Sequence, residues 1–404
     1  MQTVLLAAGQ GTRMRPLTDN CAKPMLPVAD RPLVAHTAAT AVAAGATKLV
    51  VVVGYESAAV REYFGSEYAG IPVEFAAQPD QRGTADAVRA AQPHLEPGAF
   101  TVLNGDALYD EESLRELYAN APAVGSYRVD NPSSYGVLHT SEAEEESSYQ
   151  RVTGVTEKPA NPPSNLINSG AYVFPPAAQE WLDVGESERG ELELTDVLER
   201  ACERDTVVAV PFDRWLDVGR PWELLAANEW KVAELERDIR GEVHESAELR
   251  GAVVLEEGAT VDAGVVVEGP ALIQSGASVG PNAYVRGATV VGPDATVGHA
   301  VEVKNSVLMR GATVGHLSYV GDSLLGRDVN FGAGTTVANL RHDDEPVRAL
   351  VKGELTNTGR RKYGVVCGDD VKTGIQTSLN AGVTLGSGVR TGPAEELMRD
   401  RPEE

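Results

Sequence analysis

Beginning at Val261, an apolar residue returns every six positions: Val261, Val267, Ile273, Val279, Val285, Val291, Val297 and Val303. After a five-residue step the series resumes at Leu308, Val314, Val320, Leu325, Phe331 and Val337. An α-helix presents the same face about every 3.6 residues, so a period of six does not suit one. A run of adjacent antiparallel strands would not hold the period through so many turns. The spacing predicts a left-handed parallel β-helix, in which short strands point one apolar side chain inward from each face of a triangular prism. Gly, Asn and Asp are expected at its corners, where tight turns need backbone angles that side chains resist. Hexad order lapses over the polar, basic stretch 341–364. Inward anchors are expected again at Val365, Val371, Val383 and Val389, with Thr377 filling one position, and 393–404 reads as a charged tail.

The first 220 residues carry a different pattern. Strand-like apolar runs at 3–7, 49–53, 100–103 and 207–210 alternate with helical stretches such as the Ala-rich 35–44. Alternation of this kind predicts an α/β domain with a mostly parallel sheet. Residues 141–148 form an acidic, serine-rich insertion expected to be a solvated loop. Leu225, Trp230, Val232, Leu235 and Ile239 then mark an amphipathic linking helix. The expected organisation is an α/β domain over 1–221, a linker helix over 222–241 and the β-helix over 242–404.

With 35 basic and 59 acidic residues the chain carries a net charge of −24, which argues against nucleic acid or an anionic membrane as partner. Only eight of the basic residues are Lys, and acid excess with scarce lysine fits a salt-rich, halophilic cytoplasm. Cys21, Cys202 and Cys367 are scattered without disulfide or metal-ligand spacing. The start lacks a basic region and no apolar run reaches membrane-spanning length, so a cytoplasmic protein is expected.

The most specific motif runs from Leu6 through Ala8, Gly9, Gly11, Thr12 and Arg13, followed by Lys23-Pro-Met-Leu-Pro. A strand ends there, glycines let backbone N–H groups approach a phosphate chain, and Arg13 and Lys23 add positive charge. The string resembles that of sugar-1-phosphate nucleotidylyltransferases, whose Rossmann-like domain continues here in order. The resemblance implies that Gln78, Gly83 and Thr84 hold the nucleobase. It implies Gly136, Glu157, Lys158 and Asn168 for the sugar phosphate, and Asp106 and Asp217 as ligands of Mg²⁺. The implied reaction is attack of a sugar-1-phosphate oxygen on the α-phosphorus of UTP or dTTP. The nucleophile is already an anion, so the site must offset repulsion and align the reactants rather than supply a base.

The β-helix carries a second set. Gly315-His-Leu-Ser-Tyr-Val-Gly-Asp322 is similar to the acetyltransferase motif of the bifunctional enzymes that make UDP-N-acetylglucosamine, the archaeal type matching better through Gly359-Arg-Arg-Lys-Tyr-Gly. The resemblance implies Arg286 and Lys304 on a substrate phosphate, Tyr319 and Asn330 on the sugar, Asn339 near acetyl-CoA and His316 as base. It also implies a homotrimer that places this site between neighbouring prisms. Where relatives carry lysines after the asparagine, this chain offers Glu345 and Arg348. Two other readings stay open: a nucleotidylyltransferase with the β-helix as trimerising scaffold, and a non-catalytic regulator like the exchange-factor subunits that share this two-domain plan.

Overall fold

The computed structural model describes residues 1–54, 57–141, 148–187 and 189–402. The expected acidic loop at 141–148 lies almost wholly outside them. The chain forms two compact units, one of Met1–Gln10, Ala22–Met25 and Pro32–Asp217, the other of Gly11–Cys21, Leu26–Arg31 and Val218–Glu404.

The first unit is built on a ten-stranded sheet. Gln2–Ala7 pairs in parallel with Lys48–Val53 and Phe100–Asn104, and Lys48–Val53 with Ile71–Ala77. These strands read as continuous apolar runs because both faces are covered. Val4, Val50 and Val102 face one core, Leu5, Val51 and Leu103 the other. The expected parallel arrangement holds for this block and for Val208–Pro211 beside Ala123–Arg128. Beyond Phe100–Asn104 the sheet is mixed: Leu166–Phe174 runs antiparallel to its neighbours, as do Gly136–Thr140 and Gln150–Glu157. Leu166–Phe174 is buried at every position, and burial does not set strand direction, so the expectation of a mostly parallel sheet fails here.

In the second unit three stacks of short parallel strands, of eight, seven and eight members, form a coil. Val261 pairs with Val279, Val279 with Val297, Val297 with Val314 and Val314 with Phe331. Every anchor from Val261 to Val337 lies in one core. The five-residue steps shorten the turn at two corners, where Asn305 and Asp322 take positive φ of 46° and 52°. Asn and Asp tolerate that conformation better than most residues.

After the insertion the expected phase is off by two. Leu325 pairs with Cys367, Phe331 with Thr373 and Val337 with Leu379. Val365, Val371, Val383 and Val389 are buried as well, two residues before the register positions. Alternation along a strand gives each face two inward positions, and from Val365 to Leu385 both are buried. The expected tail also continues the coil, since Leu397 pairs with Leu379 and packs in the core. The linking helix is shorter than expected, spanning Pro221–Ala233, and Ile239 already belongs to a coil strand, Asp238–Ile239. Glu223 closes its start by accepting from the Gly219 N–H at 2.8 Å. Among the described residues no helix is long and apolar enough to cross a membrane.

Candidate active sites

In the first unit Lys23 is buried and its Nζ lies 2.5 Å from Asp106 Oδ2. Asp106 follows Phe100–Asn104, and the adjoining Ala107–Tyr109 pairs with Trp215–Asp217, setting Asp217 opposite Ala107. That ladder sets the second predicted metal ligand opposite the residue that follows the first, across 111 positions of sequence. Burial pushes the Tyr109 hydroxyl well up, and the charges of Asp106 and Asp217 add to it. Among the described residues no group of three or more His, Cys, Asp or Glu could hold a metal. Two carboxylates so placed nevertheless fit Mg²⁺, a hard ion that keeps waters and takes oxygen from phosphates.

Gln78 is buried and donates its Nε2 to the Gly83 carbonyl at 3.1 Å and to Asp86 Oδ2 at 3.0 Å. Both partners only accept, which fixes the amide orientation and leaves Oε1 as the acceptor. Gly83 is required where it stands: φ is +123° and a Cβ would meet the Leu192 carbonyl oxygen at 2.3 Å. Thr84 Oγ1 accepts from the Leu194 N–H at 2.9 Å, so it braces the loop. Leu6 accepts from the Gly105 N–H at 3.0 Å, and Ala8 from Gln81 Nε2 at 2.5 Å. Gly9 faces open space.

Gly136 and Glu157 are directly opposite in an antiparallel pair. Glu157 is held by Lys158 at 3.4 Å and Arg189 at 3.5 Å, while burial pushes its pKa up. Asn168 bonds Tyr172 Oη at 2.5 Å and accepts from the Gly170 N–H at 2.9 Å. Gly11, Thr12 and Arg13 belong with the second unit. Sequence reasoning missed Gln81 and Arg189; only their charge or amide could have flagged them, since both act through the fold.

In the second unit Arg286 and Lys304 stand in register, as do Glu302 and Tyr319. Each predicted cation is held by a carboxylate. Arg286 Nη2 lies 2.7 Å from Glu302 Oε1, and Lys304 Nζ lies 2.6 Å from Asp322 Oδ2. Asp322 is the hub, also accepting from Asn305 at 2.9 Å and Asn339 at 2.5 Å, and Asn339 reaches Tyr319 Oη at 3.1 Å. Sequence reasoning quoted Asp322 within the motif and gave it no role.

Not all the predicted residues join that group. Asn330 lies in a different strand stack from Tyr319. His316 is exposed at a corner, its Nδ1 accepting from the His299 N–H at 3.3 Å. The neutral ring therefore carries its proton on Nε2. Glu345 and Arg348 lie on the insertion, whose strands Arg348–Val351 and Glu354–Asn357 form a hairpin.

Residues 2–233 match the family model "Nucleotidyl transferase", and 267–389 the model "GMPPB C-terminal domain". "Bifunctional protein GlmU" of Methanococcus vannielii is 41% identical over 96% of this chain and 92% of its own length. "Bifunctional sugar-1-phosphate nucleotidylyltransferase/acetyltransferase" of Sulfurisphaera tokodaii is 35% identical over 99% of this chain and 98% of its own. A solved UDP-glucose pyrophosphorylase complexed with UDP-glucose, 24% identical, shares the fold over 58% of this chain and 98% of that one, with a TM-score of 0.53. With relatives of this similarity spanning nearly its whole length, the chain belongs to the archaeal-type family of bifunctional sugar-1-phosphate nucleotidylyltransferases/acetyltransferases.

Proposed function

We propose that this enzyme transfers a nucleotidyl group from UTP or dTTP to a sugar 1-phosphate and acetylates an amino-sugar 1-phosphate from acetyl-CoA. The observation that carries the first activity is the pairing of buried Lys23 with half-buried Asp106, next to the strand that carries Asp217. In the reaction a phosphate oxygen of the sugar attacks the α-phosphorus, the bond to the β-phosphate oxygen breaks, and its electron pair leaves with pyrophosphate. Lys23 offsets the charge of the incoming phosphates, and Arg13 that of the leaving group. Asp106 and Asp217 would hold Mg²⁺, which supplies further charge neutralisation when bound. The Gln78 amide oxygen suits the N3–H of uracil or thymine and not cytosine, whose N3 is itself an acceptor. Glu157 and Asn168 serve as sugar-hydroxyl or acetamido partners.

For the second activity the sugar nitrogen attacks the thioester carbonyl, the amine loses a proton, and the C–S bond breaks to release the thiol. Lys304 keeps two further N–H donors beyond its bond to Asp322, and Arg286 likewise keeps donors for a phosphate. His316 is the base once its ring leaves the His299 N–H, which frees a lone pair. The six-residue period supports a left-handed hexapeptide coil, and the split of Tyr319 and Asn330 between two strand stacks supports its assembly as a homotrimer, with neighbouring prisms completing the site. The engaged lone pair of His316 favours a second reading, in which the coil is a scaffold.

Pyrophosphate release with UTP and dTTP and thiol release from acetyl-CoA separate these readings. Asp106→Ala should abolish the first and spare the second. His316→Ala should lower the second by roughly 10²–10⁴ and spare the first. Absence of thiol release with glucosamine 1-phosphate and galactosamine 1-phosphate at high salt would leave the coil as scaffold. Full nucleotidyl transfer by Asp106→Ala would remove the primary assignment.

A further inference from the structure

The segment Gly11–Cys21, which carries Arg13, packs within the same unit as the coil and its inserted hairpin. Arg327 of the coil donates to the Asn20 carbonyl at 2.8 Å and pairs with Asp369 at 2.6 Å. Asp19 accepts from Ser387 Oγ at 3.2 Å, and a Cβ at Gly368 would lie 2.9 Å from Pro16 Cβ. The hairpin is equally well seated. Val347 and Ala349 are buried, Thr358 Oγ1 donates to the Val347 carbonyl at 2.7 Å, and Gly382 at φ +80° leaves room for the Arg348 carbonyl. Lys352 and Gly353 form its turn, with φ of 50° and 83°. Positive φ at both positions is the tight hairpin turn that favours Asn-Gly.

A cavity of about 430 Å³ opens between them, lined by Thr12, Arg13, Arg15, Leu350, Val351 and Lys352. It therefore presents three cations and no carboxylate. Arg15 keeps a loose partner, Asp19 at 3.6 Å. Among the described residues neither Arg13 nor Lys352 is within ion-pair distance of a carboxylate, although acidic groups outnumber basic ones 59 to 35. Cations gathered around one cavity repel each other unless an anion joins them.

We infer that Lys352, at the tip of the inserted hairpin, is a binding residue for the diphosphate end of the nucleotide and for released pyrophosphate, acting with Arg13 and Arg15. The assignment rests on the nucleotidyl-transfer reading, which gives Arg13 its ligand. A diphosphate also occurs in coenzyme A, but Arg13 continues the glycine loop after Gly9, so the nucleotide is the occupant. Lys352 takes no part in bond making or breaking; it lowers the charge on the leaving group and slows its escape.

The test uses Lys352→Asn, which suits the turn, and Lys352→Glu in the full chain. Steady-state constants are measured for UTP forward, pyrophosphate in reverse, sugar 1-phosphate and acetyl-CoA, with calorimetry of pyrophosphate alone. Lys352→Asn should raise KM for UTP and pyrophosphate, and Kd for pyrophosphate, about fivefold to tenfold. Lys352→Glu should raise them further, Lys352→Arg should restore them, and KM for sugar 1-phosphate should stay within about twofold of wild type. Unchanged pyrophosphate constants in both Asn and Glu variants would overturn the assignment, as would a shift confined to acetyl-CoA. Neither result touches the nucleotidyl reading, which fails instead if Asp106→Ala and Arg13→Ala remain fully active.

Discussion

Asp322 organises the second site, and removing it should disable that site alone. Its side chain is 3% exposed and accepts from Lys304, Asn305 and Asn339 at 2.6, 2.9 and 2.5 Å. Deleting one partner of a buried pair costs about 3–5 kcal/mol because the other charge is left behind. Lys304 is 15% exposed and can turn partly to water, which places Asp322→Ala near the lower figure, about 3 kcal/mol. Asp322→Asn should be no rescue. Its amide nitrogen would face either the Lys304 and Asn339 donors or the Asn305 donor, whichever way it turned. Urea unfolding of Lys304→Met, Asp322→Asn and the double variant gives the coupling, expected at about 1.5 kcal/mol or more. In the same variants KM for the amino-sugar phosphate should rise, because Lys304→Met removes a phosphate-binding cation and Asp322→Asn weakens the anchor of Asn339 and Tyr319, while pyrophosphate release with UTP stays within about twofold. A coupling below about 0.5 kcal/mol would refute the reasoning. So would native acetyl transfer by Asp322→Ala.

Burial holds the Glu157 pKa above the ordinary 4.5, so the folded state favours the protonated form and ionisation costs stability as pH rises through the raised value. Glu157→Gln should therefore raise the thermal midpoint of the first unit at neutral pH, fade to no gain below the ordinary carboxyl pKa, and weaken sugar-phosphate binding; equal gains at pH 4 and pH 8 would contradict this. The net charge of −24 predicts thermal midpoints that climb with potassium chloride, and a maximum at low ionic strength would remove the salt-adapted reading.

The sequence by itself determined what short-range order controls. The six-residue period named the coil because each anchor fills a repeating inward position. The glycine loop, Lys23 and Asp106 were legible because phosphate chemistry needs those types at strand ends. Tertiary structure decided the rest. Leu325 meets Cys367 across the inserted hairpin, and nothing local reveals which of two inward positions carries the register beyond it. The carboxylates on Arg286 and Lys304 come from neighbouring coils, 16 and 18 residues away. Asn20 meets Asp369 across 349 residues, a closeness no composition or period encodes. Lys352 looked like one lysine in a polar loop. Its charge gained meaning only when folding set it beside Arg13, because electrostatic neighbours are fixed by distance in space.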